Sequence, residues 1–234
     1  MKITFKLLAF LFVTSAIAVS CGSSSEGEQT QLGEAQEVAE ETGMAYAVNT
    51  AESIINWKGE KFNSDFHTGT INVKDGSLSV KDGNITAGSF TIDMTSIEVT
   101  DELPEDKKGY LIAHLEGTTG QDKDGDFFNT NKFPIATFDI TGVEGNKISG
   151  NLTMLDSTHN VTFTATTTMK DGKLTASTED FTFDRTLWGI KFMSTITGFV
   201  KEKALKNDIT IGINLVASEG EATADDAMES ELSE

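Results

Sequence analysis

The sequence predicts an all-β domain of about eight antiparallel strands, arranged as an up-and-down barrel or a sandwich and broken by one short helical excursion. Three observations predict it. Apolar residues recur at every second position in several runs, tight-turn dipeptides punctuate those runs, and threonine is abundant on the polar faces.

In chain order, Phe90, Ile92 and Met94 share one face, with Ser89, Thr91 and Asp93 opposite. Ala136, Phe138 and Ile140 alternate with Thr137 and Asp139, and Ile148, Leu152 and Met154 with Ser149, Asn151 and Thr153. Ile209, Ile211, Ile213 and Leu215 alternate with Asp208, Thr210 and Asn214. A period of two with one apolar face marks strands wet on one side and packed on the other. Asp75-Gly76, Asp82-Gly83, Gly145-Asn146 and Asp171-Gly172 are read as turns. Residues 101–132 break the pattern. Asp101 is placed to cap a helix entering at Pro104, whose buried stripe would be Leu111, Ile112 and Leu115, with Gly109 weakening it. The sheet is thus expected to run to about 99 and to resume at 133. Full closure would leave no exposed edge, and eight strands enclose just enough room for side chains or one small ligand. The small core-facing residues Ala136, Gly150, Ala165 and Ala176 mean either lumen space or a fit to the taper of a barrel.

The ends of the chain read differently. Lys2 and Lys6, the apolar run Leu7 to Val13 and the small residues before Cys21 make residues 1–20 a secretory signal, too short in its apolar part to span a bilayer. Ala18-Val19-Ser20-Cys21 resembles the lipobox of bacterial lipoproteins, in which the cysteine carries a diacylglycerol; the alternative is ordinary cleavage after Ala18 and a free thiol. Lipidation at Cys21, the only cysteine, implies a protein held at a membrane of the cell envelope on its periplasmic or surface side, with the outer membrane the expected one. Two or three acyl chains anchor firmly where one does not. Residues 22–43 hold six glutamates and no Lys or Arg, and residues 217–234 hold seven acids and no base. Residues 21–43 are therefore expected to be a lipidated, flexible acidic tether spanning on the order of 25 Å, and 218–234 a disordered acidic tail. The domain between them is expected over 44–217.

Composition and motifs exclude several functions. The net charge of −19 leaves no basic stripe for phosphates, so nucleic acid is not an expected partner. His67, His114 and His159 are isolated, there is no H-E-x-x-H, and a zinc site would need ligands from distant strands. No nucleophile elbow or phosphate-binding loop is present. Asp122-Lys123-Asp124-Gly125-Asp126 suggests a calcium loop, but Gly125 is fourth and the twelfth residue is Phe133, so it reads as an incidental acidic turn. No metal or cofactor is expected. Arg185 stands alone among the basic residues as the one arginine. It is either a structural ion pair or a stack on Trp188, or a contact to a ligand's anionic or carbonyl head at a pocket mouth.

Ordered motifs then point to a family. Ile55-Asn56-Trp57-Lys58-Gly59, His67-Thr68-Gly69, Gly88 to Ile97, His114-Leu115, Asp126-Phe127-Phe128-Asn129, Lys132-Phe133-Pro134-Ile135-Ala136-Thr137-Phe138, Gly150 to Met154, and Asp184-Arg185 with Trp188-Gly189 occur in series. The chain resembles the YceI-like proteins over about 46–217. The resemblance implies an eight-stranded lipocalin-like barrel whose lumen binds a long-chain isoprenoid lipid, of polyprenyl or quinone type, without catalysis. Two stretches depart from the family pattern, Lys107 to Ala113 and Asp156 to Val161. On this reading the expected lining is Trp57, Phe90, Ile92, Phe138, Leu152, Phe163, Phe183 and Trp188, the large apolar residues of alternating strands, with Arg185 at the mouth. The competing readings are an envelope interaction module with a filled barrel, and an enzyme acting on an isoprenoid or a stress metabolite. A continuous apolar tunnel would favour the carrier.

Overall fold

The computed structural model describes residues 27–118 and 126–220. Cys21, the leader, most of the Asp122–Asp126 turn and the acidic tail from 221 onward lie outside the described residues. The strands are β1 (Glu28–Gln29), β2 (Gln31–Glu34), β3 (Met44–Val48), β4 (Ile54–Glu60), β5 (Phe66–Lys81), β6 (Asn84–Val99), β7 (Ile135–Glu144), β8 (Lys147–Met154), β9 (Ser157–Lys170), β10 (Lys173–Thr178), β11 (Phe181–Asp184) and β12 (Asp208–Glu219). One helix, α1 (Glu105–Leu115), joins β6 to β7. Eight strands form a closed antiparallel ring in the order β4, β5, β6, β7, β8, β9, β10, β12, with β12 returning to β4 through pairs such as Ile211 with Trp57. The expected barrel is therefore present, and the sandwich is not.

The turn chemistry explains one end of the barrel. Asp82-Gly83 and Asp171-Gly172 both take positive φ (52° and 78°, 51° and 74°), the geometry of a two-residue turn whose twist matches its strands. Gly145-Asn146 closes β7–β8 with Gly145 at φ 60°. Asp75-Gly76 is not a turn: it lies inside β5 at a shift of register against β6. A Cβ on Gly76 would stand 2.8 Å from the Phe90 ring, so this glycine serves close packing at a bulge.

The same end is filled with side chains. Leu174 and Ala217 are fully buried there, with Tyr46, Leu78, Val80, Ile85 and Ile148 around them. At the opposite end two of the connections are long, while β4–β5 and β8–β9 are joined by residues 61–65 and 155–156. Residues 100–134 carry α1, and residues 185–207 carry three short 3-10 helices. Pro104 stands at the N-cap of α1 with no side-chain cap. Asp101, expected to cap it, instead accepts hydrogen bonds from His67 Nδ1 at 2.7 Å and Thr68 N at 2.8 Å. The expected stripe does face inward: Leu115 is buried, and Leu111 and Ile112 pack on the core.

The largest departure concerns the expected tether. Residues 27–43 are docked along the barrel wall. β10 and β11 are successive pieces along β12, and past Thr178 the second piece separates from β9. β1 runs parallel to β11 and β2 antiparallel to β9, so the N-terminal segment fills that seam. Leu32 packs on the core beneath. The chain then crosses β8, where Asn151 Oδ1 accepts from Gln36 N at 2.9 Å and its Nδ2 donates to Gln36 O at 2.7 Å. Ala39 N donates to Ile140 O at 2.9 Å, a carbonyl at the β7 irregularity. Backbone hydrogen bonding explains the docking despite the acidic composition, because edge pairing asks little of side chains.

Candidate functional site

Inside the ring lies a cavity of about 240 Å³ whose wall is almost wholly apolar. It reaches Leu78, Ile85 and Ile140 at the hairpin end and Leu111, Leu115 and Phe128 at the other. Such a cavity stays dry and accepts an apolar guest. Its volume is just under the ~300–1,000 Å³ of typical small-molecule sites. Ala136, Ala165 and Ala176 line it and leave it open, whereas Gly150 makes room for the Phe138 ring. The barrel is hollow, which counts against the filled-barrel reading.

The structure brings most of the expected residues together. Trp57, Phe90, Ile92, Phe138, Leu152, Phe163, Phe183 and Arg185 all border the lumen. Their rings form a chain along the wall: Phe90 to Phe138 at 6.2 Å, Phe138 to Phe163 at 5.6 Å, and Phe163 stacked on Phe181 at 4.7 Å. Trp188 does not border it. This fully buried indole donates from Nε1 to Leu152 O at 3.0 Å and packs on Phe183 and His159. A large aromatic just past the end of a strand, rather than within it, is not governed by the strand's alternation, which is why that pattern misplaces Trp188. Phe181, Ile209, Ile211 and Ile213 also line the lumen. The alternation of β12 already puts its three isoleucines on one face. Phe127 and Phe128 come from the excursion, where no periodicity could point to them.

Every charged or titratable residue of the wall (Lys58, Glu60, His67, Arg185, Lys206) lies at the end of the long connections, which is therefore the mouth. Arg185 is used structurally there. Its Nη1, Nη2 and Nε donate to the carbonyls of Ile190, Phe192 and Lys206 at 2.7, 2.9 and 3.3 Å. Its guanidinium also faces the Phe127 ring at 5.9 Å. Burial pulls its pKa down to about 10, against the Asp184 charge, so it stays protonated at neutral pH. The planar fork, which lysine lacks, matches three converging carbonyls.

The other ionisable residues of the lumen wall have partners. Glu60 lies 3.1 Å from Lys206 and 4.0 Å from Lys58. Burial pushes the Asp101 pKa up, but the hydrogen bonds from His67 and Thr68 outweigh it and hold it below the usual value. Burial, and then the facing Asp184, raise the Asp208 pKa against the pull of Lys206. His114 Nδ1 is 3.4 Å from Asp126, and His159 Nε2 lies 3.2 Å from Leu187 O. Among the described residues no three His, Cys, Asp or Glu side chains are grouped to hold a metal. Of the buried polar side-chain atoms left without a partner among the described residues, only Trp57 Nε1 belongs to a residue of the lumen wall.

A model of the YceI-like domain matches residues 46–217. The chain belongs to the YceI-like family. Among curated proteins none matches the sequence. Two solved structures share the YceI-like chain's fold. BcnA of Burkholderia cenocepacia matches with a TM-score of 0.53 and 18% identity, over 73% of this chain and 99% of its own. A polyisoprenoid binding domain from Saccharophagus degradans, implicated in plant cell wall breakdown, matches with a TM-score of 0.53 and 12% identity, over 76% and 99%. Both stretches that depart from the YceI-like pattern fall at the mouth: Lys107 to Ala113 within α1, and Asp156 to Val161 at the β8–β9 turn and the start of β9. The hairpin end carries neither.

Proposed function

We propose that the chain binds a long-chain isoprenoid lipid, of polyprenyl or quinone type, in the barrel lumen and catalyses no reaction on it. The hollow apolar lumen, closed by side chains at the hairpin end and bordered by polar groups at the mouth, carries this reading. Each 100 Å² of chain removed from water contributes about 2.5 kcal/mol, so the enclosed part of a tail is held without any polar contact. The ligand class is supported by the Saccharophagus degradans domain, described as polyisoprenoid-binding. Trp57 Nε1, an unpaired buried donor, is a partner for a ligand oxygen, and leaving it unmet costs about 1–3 kcal/mol.

The chain is further proposed to be tethered to a membrane of the cell envelope by lipid on Cys21. Only five residues separate Cys21 from Gly27, where the described wall segment begins. Extended, that stretch spans at most about 20 Å, so the barrel is held close to the bilayer. Cys21→Ala is expected to release a soluble protein that still takes up lipid; loss of uptake would give the anchor a second role.

The two tryptophans make the ligand test direct, because only Trp57 borders the lumen. Added quinone is expected to quench the fluorescence of Trp57 more than that of Trp188, which stands behind Phe183, and added polyprenol to relieve the quenching by displacement. Quenching that survives Trp57→Phe unchanged, or none at all, would rule out lumen binding of the quinone.

A further inference from the structure

One connection at the mouth has a composition unlike the rest of the chain. Residues 185–206 hold Arg185, Lys191, Lys201, Lys203 and Lys206 against one carboxylate, Glu202. The formal charge of −19 thus divides into +4 here and −23 elsewhere; Arg185 is buried and Lys206 is paired with Glu60, so the exposed part, 191–203, carries a net +2 from three Lys and one Glu. The same connection exposes Ile196, Phe199 and Val200 by 57%, 41% and 61%. Lys191, Lys201 and Lys203 are exposed, and none is paired with a carboxylate among the described residues.

The connection is a fixed platform. Arg185 holds the carbonyls of Ile190 and Phe192 from below. Ser194 Oγ accepts from Ile196 N at 3.2 Å and donates to Asn207 Oδ1 at 2.7 Å. Leu205 N donates to Met193 O, and Phe62 N to Ala204 O, which joins the turn at 61–65 to the same surface. Lys201 Nζ stands 5.1 Å from the Phe62 ring. Ile190, Leu205 and Lys206 belong at once to this connection and to the wall of the lumen.

We propose that residues 191–203, with Phe62 beside them, form a docking surface for a bilayer carrying anionic headgroups, which brings the mouth onto the lipid from which a ligand is drawn. Exposed isoleucine, phenylalanine and valine flanked by lysines are the pattern of an interfacial contact, with apolar side chains below the headgroups and cations beside them. A positive patch on a negative body also orients the approach, because the remaining surface is repelled. The purpose of the docking rests on the lipid-carrier reading, but docking is measured without ligand, so an empty lumen and a failed contact are separate results.

The test is co-sedimentation of the chain begun at Gly22, which keeps every described residue and lacks the anchor. The vesicles are phosphatidylcholine alone and phosphatidylcholine with 30% phosphatidylglycerol. The expected result is binding to the anionic vesicles only, weakening as salt rises. Each lysine near such a surface is worth about fivefold in affinity. Lys201→Glu with Lys203→Glu should therefore lower binding at least about 25-fold, and Ile196→Ser with Val200→Ser about tenfold. All four positions are exposed, so the thermal midpoint should hold. Lys147→Glu with Lys173→Glu, at the hairpin end, makes the same charge change and should leave binding within about threefold. The proposal is overturned by absence of binding, by equal binding to both vesicles, or by equal losses in the two charge pairs. A dimer in vesicle-free solution that Ile196→Ser and Val200→Ser dissolve would likewise overturn it and assign the face to a second copy.

Discussion

At the hairpin end of the barrel three tight turns join the strands and close-packed aliphatic side chains fill the ring. At the mouth, residues 100–134 and 185–207 make two long connections beside the short turns at 61–65 and 155–156, the rings of Phe127, Phe128 and Phe183 join the aliphatic packing, and all the charged residues of the wall collect. The same eight strands run through both ends. The difference lies in what joins them: the three hairpin turns leave no chain for anything but closure, while the two long connections supply the helix, the Arg185 clamp and the exposed basic surface. One end is closed by packing and the other carries the polar groups of the wall, and substitutions should separate the two.

The largest effect is expected for Arg185→Ala. It leaves three carbonyls without their donor, at a cost of about 4 kcal/mol, read from the denaturant midpoint; lysine should recover less than half because it cannot fork. At the closed end, Leu174→Ala should cost about 3 kcal/mol through the cavity it leaves while changing lipid affinity little, since Leu174 is fully buried and outside the lumen wall. Ala136→Phe should do the reverse. It projects a ring into the lumen, lowers lipid affinity at least about tenfold, and destabilises by only about 1 kcal/mol because the cavity can absorb part of the ring.

The smallest effect concerns Asp208, which faces Asp184 across the β11–β12 pair. Its raised folded-state pKa means that the folded chain binds its proton more tightly than the unfolded one. Stability is therefore lost as pH rises from the unfolded value through the folded one, and the loss is complete at neutral pH. Asp208→Asn should raise stability by about 0.5 kcal/mol at pH 7 and by nothing at pH 3. Asp101 has the opposite sign. Its lowered pKa stabilises above about pH 4, and that part is lost as pH falls through the folded value. Urea midpoints measured from pH 3 to pH 7 would separate the two, because only the first disappears in Asp208→Asn.

Much of the wall is legible in the sequence because strand alternation is a local signal. Phe90, Ile92, Phe138 and Leu152 are placed on the inner face by their neighbours alone, and the structure puts them around one cavity. What escapes is set by contacts between distant segments. Nothing in Glu28 to Glu34 carries an apolar period, since Leu32 is its single large apolar residue. The segment is nevertheless wall, because its backbone satisfies two open edges and Asn151 fastens the chain beyond it at Gln36. Gly150 reads as lumen space or a fit to the taper, and is a seat for Phe138. Arg185 stands out for its rarity, but whether its donors meet a ligand or three carbonyls depends on a loop fold that no local pattern reports.

The central claim, that the hollow lumen holds an isoprenoid lipid, is tested most directly by mass spectrometry of an organic extract of the protein purified without detergent from its native source. The expected result is a near-stoichiometric polyprenyl or quinone species, reduced at least about tenfold in Ala136→Phe. An extract without such a lipid, together with no uptake of added quinone or polyprenol, would contradict it.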